Sequence, residues 1–239
     1  MGYKTAFVLI HGSWLGGWCW RETAAILLTR QHYVLAPSLP GMGERAAHFT
    51  GNITIDTFID DVVSQIKSKN LTDVVLVGHS FGGVVITGVA DRIPQRIRHL
   101  IYLDAIVVED GGTAFSVYPP EEVDLRLRAA RSGTTVPVPK SLPKEWGVRV
   151  TMAEYVLQHL TPHPVGSYIT PLCLRYQPGA GCSCTYIRCT KPPHPLLNEI
   201  QERVKSRNNW NMIELETGHL PMLTHASLLA ECLETCADS

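Results

Sequence analysis

The chain has no surplus of charge: 21 Lys and Arg stand against 22 Asp and Glu, and charged residues fill only 18% of its 239 positions. No basic or acidic block disturbs that balance, which argues against a protein that holds nucleic acid by neutralising phosphates. Long hydrophobic runs are also missing. The apolar stretch before His11 is too short for the core of a secretory leader and far too short to cross a bilayer. The expected address is therefore the cytoplasm, with no membrane partner. Cysteine occurs seven times, an odd number, and Cys182, Cys184 and Cys189 lack the paired two-residue spacing of a zinc site. Free structural thiols are expected, and no metal. There is no internal repeat and no low-complexity segment. What is present, 45% hydrophobic residues in a chain of this length, suits one domain with room for an insertion and excludes disorder.

The hydrophobic pattern alternates between strand and helix. Thr5–Ile10 reads as a strand buried on both faces, Trp18–Arg30 as a helix, and Tyr33–Ala36 as a second strand. Ile55, Phe58, Ile59, Val62, Val63 and Ile66 recur at three- and four-residue spacing, which predicts a helix over Ile55–Lys69 with Thr54 as its N-cap. Val74–Val77 is a strand, Phe81–Arg92 a helix and Ile97–Leu103 a strand. This order predicts an α/β fold, a mostly parallel sheet joined by helical crossovers. The rhythm stops after Asp104 and resumes with a strand at Cys184–Cys189, a helix at Leu196–Arg207, a strand at Trp210–Leu215 and a last helix at His225–Cys236. Residues 1–109 and 184–239 are therefore read as the core, and 110–183 as an inserted cap. The cap holds two helical patches, Pro120–Ser132 and Thr151–Leu160, and no buried-strand run.

Chemistry enters at Gly78-His-Ser80-Phe-Gly82, a G-x-S-x-G sequence between a strand and a helix. A serine there stands on a strained turn at the carboxyl end of its strand, with its hydroxyl exposed at a helix N-terminus. Ser80 is the expected nucleophile. An acyl-transfer intermediate needs two backbone N–H donors, expected from Phe81 and from Ser13 in the loop after the first strand. The base should leave the last strand close to Ser80. Of ten histidines, His219 fits, while His11 and His79 read as packing residues and His159, His163 and His194 lie in segments without matching geometry.

Six segments, FVLIHGSWLGGWCW (7–20), VLAPSLPGMGE (34–44), VVLVGHSFGGVVI (74–86), IYLDA (101–105), TYIRCT (185–190) and ELETGHLPML (214–223), together resemble the α/β-hydrolase superfamily. The closer resemblance is to its small esterases: plant methylesterases, hydroxynitrile lyases and bacterial pyrethroid-type carboxylesterases. It implies an α/β-hydrolase fold with a helical cap. The lyases carry a threonine at the position of Gly12 and a lysine after the catalytic histidine, where this chain has Leu220, so the resemblance favours hydrolysis.

The resemblance also exposes a gap. The family's usual acid lies two residues after Thr190, and that position is Pro192. Asp56, Asp60, Asp61, Asp73 and Asp91 fall on helices or at the amino end of a strand, away from the required edge. Asp104 ends the strand next to that of Ser80, an arrangement some relatives resemble, and is the expected acid. Glu109, Asp110 and Glu216 are further candidates, and a structural role for Asp104 is the alternative.

The expected function is a serine hydrolase without a cofactor, cleaving a small to medium apolar ester, thioester or lactone. Phe115, Tyr118, Leu125, Leu127, Trp146, Met152, Tyr155, Leu157, Leu160, Tyr168 and Leu172 are offered as cap residues for a mostly apolar pocket. A slow-turnover ligand receptor and a lyase or cyclase are the alternatives. A homodimer is compatible with the sequence, which does not otherwise specify an assembly.

Overall fold

A computed structural model describes residues 2–48, 51–130 and 134–238. Strand β1 (Ala6–Ile10) is buried along its whole length because both faces of the sheet are covered. Ala6, Val8 and Ile10 point into one core cluster with Val74 and Leu76; Phe7 and Leu9 point into the other with Val75 and Val77. Two-residue alternation thus turns a continuous apolar run into two cores.

Helix α1 (Arg21–Thr29) follows a single 3₁₀ turn at Gly17–Trp20, so the expected Trp18–Arg30 helix is tighter over its first turn. The chain continues through β2 (Tyr33–Leu35), α2 (Ile55–Ser68), β3 (Val74–His79), α3 (Gly82–Arg92) and β4 (Ile97–Leu103). Thr54 caps α2 in a reciprocal box with Thr57, and the six periodic apolar residues form its buried face.

Between β4 and the next sheet strand lie α4 (Pro120–Ala130), β5 (Thr135–Val136), α5 (Val150–His159), β6 (His163–Pro164) and α6 (Gly166–Ile169). The end of the expected Pro120–Ser132 helix lies outside the described residues. β5 and β6 pair antiparallel, a small ribbon that two-residue strands could not announce in the sequence. The sheet then closes with β7 (Ser183–Cys189), α7 (Asn198–Lys205), β8 (Trp210–Leu215), α8 (Pro221–Thr224) and α9 (Ala226–Ala237).

The six sheet strands are all parallel, in the order β2-β1-β3-β4-β7-β8. Register aligns Ile10 with Gly78, His79 with Leu103, Leu103 with Ile187, and Cys189 with Leu215. The loops carrying Ser13, Ser80, Asp104, His194 and His219 therefore leave one edge of the sheet, where α/β folds place their ligands. No disulfide links cysteines among the described residues. No helix among the described residues is long and apolar enough to cross a membrane.

Candidate active site

Ser80 follows β3 directly with φ of 53°, in the left-handed region that costs a residue with a β-carbon about 1–3 kcal/mol. Neighbouring chain holds it there. The Ser80 amide donates to Leu103 O (3.1 Å), and its carbonyl accepts from Gly83 N (3.0 Å) and Ile106 N (2.9 Å). Gly82 has to be glycine, since a β-carbon there would lie 2.7 Å from Ile10 O and 2.8 Å from His11 O. A β-carbon on Gly12 would lie 2.8 Å from the β-carbon of Ser80, so the first loop passes against the serine itself. Among the described residues, neither the Ser13 nor the Phe81 amide donates to another protein group. The Ser13 hydroxyl bonds to Tyr168 Oη, which ties that loop to α6.

His219 lies between β8 and α8, its amide donating to Glu145 O (3.0 Å). Its Nδ1 is 2.6 Å from Asp104 Oδ2. Asp104 is fully buried, and its Oδ1 accepts from Cys189 N (3.2 Å) and Gln201 Nε2 (3.4 Å). The remaining acid candidates are engaged elsewhere. Glu109 pairs with Arg207, Asp110 accepts from Leu174 N, and Glu216 pairs with Lys191 at 2.9 Å. Asp56 and Asp60 hold Arg92, Asp61 holds Arg45, and Asp91 holds Arg175.

Ser80 and His219 open into one cavity of about 430 Å³. The residues matching the alpha/beta hydrolase family model run from 7 to 231. The chain belongs to the alpha/beta hydrolase family. It is 37% identical to the carbendazim hydrolyzing esterase of Nocardioides sp. (strain SG-4G), with 95% of this chain and 97% of that one covered. Methylesterase 1 of Arabidopsis thaliana is 33% identical over 44% of this chain and 40% of its own. Among solved structures, an extracellular alpha/beta-hydrolase from a Paenibacillus species, described as homologous in structure and function to tobacco salicylic acid binding protein 2, superposes with a TM-score of 0.85. It is 28% identical, with 97% and 98% of the two chains covered. A pyrethroid hydrolase from Sphingobium faniae shares the fold, with a TM-score of 0.75 at 21% identity over 98% of each chain. The protein is a carboxylesterase-like enzyme.

The hydrolase's cavity is lined mostly by apolar residues, as expected, among them Trp14, Leu15, Pro143 and Leu220, but few of the expected cap residues take part. Of the cap residues offered above, only Tyr118 and Trp146 line it; Leu125 is 62% exposed, and Phe115, Leu160 and Leu172 are buried in the cores. Charge enters as well: Glu122, Arg126 and Glu145 all reach the lining. Arg126 binds Glu122 at 2.6 Å and lies 4.2 Å from the Tyr118 ring centre, so its charge is held between a carboxylate and an aromatic face. Helical spacing could not reveal this, because Glu122 and Arg126 look like a surface i, i+4 pair.

Two more residues escaped the sequence reading. Gln201, on α7, donates to Asp104 Oδ1. His194 lines the cavity with its ring centre 4.5 Å from that of His219, although it lay in a segment read as having no matching geometry. The available signal was its loop, which follows β7 where the family's acid is usually carried. His79 packs on His219 at 4.6 Å, so the imidazole of His219 contacts two others.

Burial dominates the electrostatics of this hydrolase. It pushes Asp104 up to about 7 and His219 well below the usual histidine range, with His194 adding to the second effect. Both groups thus resist carrying separate charges. His11, pushed down to about 4, is fixed as a neutral ring: Nδ1 donates to Gly12 O (2.8 Å) and Nε2 accepts from Leu39 N (3.0 Å). His163 accepts from Trp14 N at Nδ1 and donates to Ser167 Oγ through Nε2. It and His79 are also held well below the usual value by burial.

These histidines make stability fall in acid. An unfolded chain protonates them near pH 6.5 and the folded chain does not, so unfolding takes up protons below that pH. Each of His11, His79 and His163 then removes about 1.4 kcal/mol per pH unit, a loss complete for His11 near pH 4. Asp104 acts in the opposite direction, because its folded carboxyl takes its proton near 7 and the unfolded one only near 3.8; it offsets His219. Urea unfolding should show a large fall in midpoint from pH 7 to pH 5. An unchanged midpoint would contradict these assignments.

Proposed function

We propose that this hydrolase cleaves carboxylic esters by acyl transfer through Ser80. The observation that carries it is the 2.6 Å bond from His219 to the buried Asp104, beside a serine on a strained strand-to-helix turn. Ser80 Oγ attacks the ester carbonyl while His219 Nε2 takes its proton. Asp104 keeps the other proton on Nδ1, leaving Nε2 free as the base, and faces the imidazolium as it forms. The uncommitted amides of Ser13 and Phe81 receive the oxyanion, where each donor is worth about two to three orders of magnitude in rate. Collapse expels the alcohol, which leaves with the proton from His219. Water, deprotonated by the same nitrogen, then releases the acid and restores Ser80.

A cavity of about 430 Å³ suits a small to medium ester with space for one aromatic ring against Tyr118 or Trp146. Residues 110–183 act as the cap that sets this space. The glycine at position 12, pressed against Ser80, and the apolar Leu220 argue against a cyanohydrin lyase. A panel of p-nitrophenyl acetate, butanoate and dodecanoate tests the proposal, with carbendazim added because it stands in the name of the Nocardioides relative. Turnover is expected on the two shorter esters and strongly reduced turnover on dodecanoate. Tight binding without turnover of any member would instead indicate a receptor.

A further inference from the structure

In ester cleavage the alcohol oxygen must come to His219 Nε2 to collect its proton, whichever way the acyl part lies. A polar group flanking His219 on the cavity side therefore flanks the leaving group. His194 occupies that position: its ring centre is 4.5 Å from that of His219, the planes are tilted by 58°, and both rings line the cavity with Ser80.

The two nitrogens of His194 differ. Nδ1 is buried with no hydrogen-bond partner among the described residues. A buried N–H without an acceptor is rarer and less tolerated than a bare lone pair, so the neutral ring keeps its proton on Nε2. Burial favours that neutral form, while Asp104, Glu145 and Glu122 oppose it and Arg126 supports it. No protein acceptor among the described residues takes the Nε2 hydrogen.

We propose that His194 is a further catalytic residue, whose Nε2–H donates a hydrogen bond to the leaving alcohol oxygen as the ester C–O bond breaks. It transfers no proton; the alcohol still receives its proton from His219, which had taken it from Ser80. The hydrogen bond strengthens as negative charge builds on the oxygen, so it matters most for a poor leaving group such as an alkoxide and least for a stabilised phenolate. The class of substrate implied is the simple alkyl ester, and the inference rests on the acyl-transfer reading above.

The test compares kcat/KM for methyl butanoate and p-nitrophenyl butanoate, two esters of one acid, in wild type, His194→Phe and His194→Gln. kcat/KM reports the acylation step in which the alcohol leaves. His194→Phe keeps a ring against His219 and removes the donor. Because the two esters are compared within each enzyme, loss of folded protein cancels from the ratio. The p-nitrophenyl to methyl ratio should rise about tenfold or more in His194→Phe, the effect of one charge-assisted hydrogen bond. His194→Gln, which restores an N–H, should bring the ratio part of the way back. Equal losses on both esters would reduce His194 to a packing residue and overturn the proposal. A wild type that turns over neither ester and leaves Ser80 unacylated would overturn the acyl-transfer reading itself, a separate failure seen before any variant is made.

Discussion

Asp104→Asn should lower kcat/KM for p-nitrophenyl butanoate by about four orders of magnitude, the scale known for this change in other serine hydrolases. The cause is a forced orientation. Cys189 N and Gln201 Nε2 both donate to Oδ1, so an asparagine must keep its carbonyl oxygen on that side. Its NH₂ then faces His219 Nδ1 across what is now a 2.6 Å bond. A donor there requires Nδ1 to accept, which moves the imidazole proton to Nε2 and blocks the base. Packing is retained, because the two side chains have nearly the same shape and every neighbour keeps its partner. The thermal midpoint should therefore move far less than activity does. Retention of activity within tenfold would show that Asp104 is structural and that Ser80 and His219 work without it.

Ser80→Ala should remove about five to six orders of magnitude of kcat, down to what the oxyanion donors and binding supply alone. The mutation deletes one oxygen from a side chain that lines the cavity, and the backbone bonds that hold residue 80 involve only its amide and carbonyl. The fold and the cavity should persist, so the variant should still bind an ester that it cannot cleave. Ser80→Ala that turned over esters at a tenth of the wild-type rate would point to a water-based route through His219.

Much of this is legible in the amino-acid sequence because sheet and site share one logic. Continuous apolar runs such as Ala6–Ile10 mark strands buried on both faces, and parallel strands bring successive loops to one edge. Ser80 and His219 could be read from those loops, and Asp104 could be reached once Pro192 was seen where relatives carry the acid. The segment between β4 and β7 was far less legible. Its helices gave a periodicity but not a direction, so Leu125, expected at the pocket, is exposed on α4 while Arg126 beside it turns inward against Tyr118. His194 was missed for a related reason. It lies in the proline-rich loop Lys191-Pro-Pro-His-Pro195, whose path no hydrophobic period predicts, and only β7 next to β8 brings it against His219.

Every step proposed for this hydrolase passes through acylation of Ser80. Mixing the enzyme with excess p-nitrophenyl butanoate, quenching in acid within the first turnover and measuring intact mass, followed by peptide mapping, tests it directly. A burst of p-nitrophenol approaching one per chain and a single butanoyl group on the peptide containing Ser80 are expected, with neither seen in Ser80→Ala. Steady turnover by wild type with no burst and no acyl group at Ser80 would contradict it.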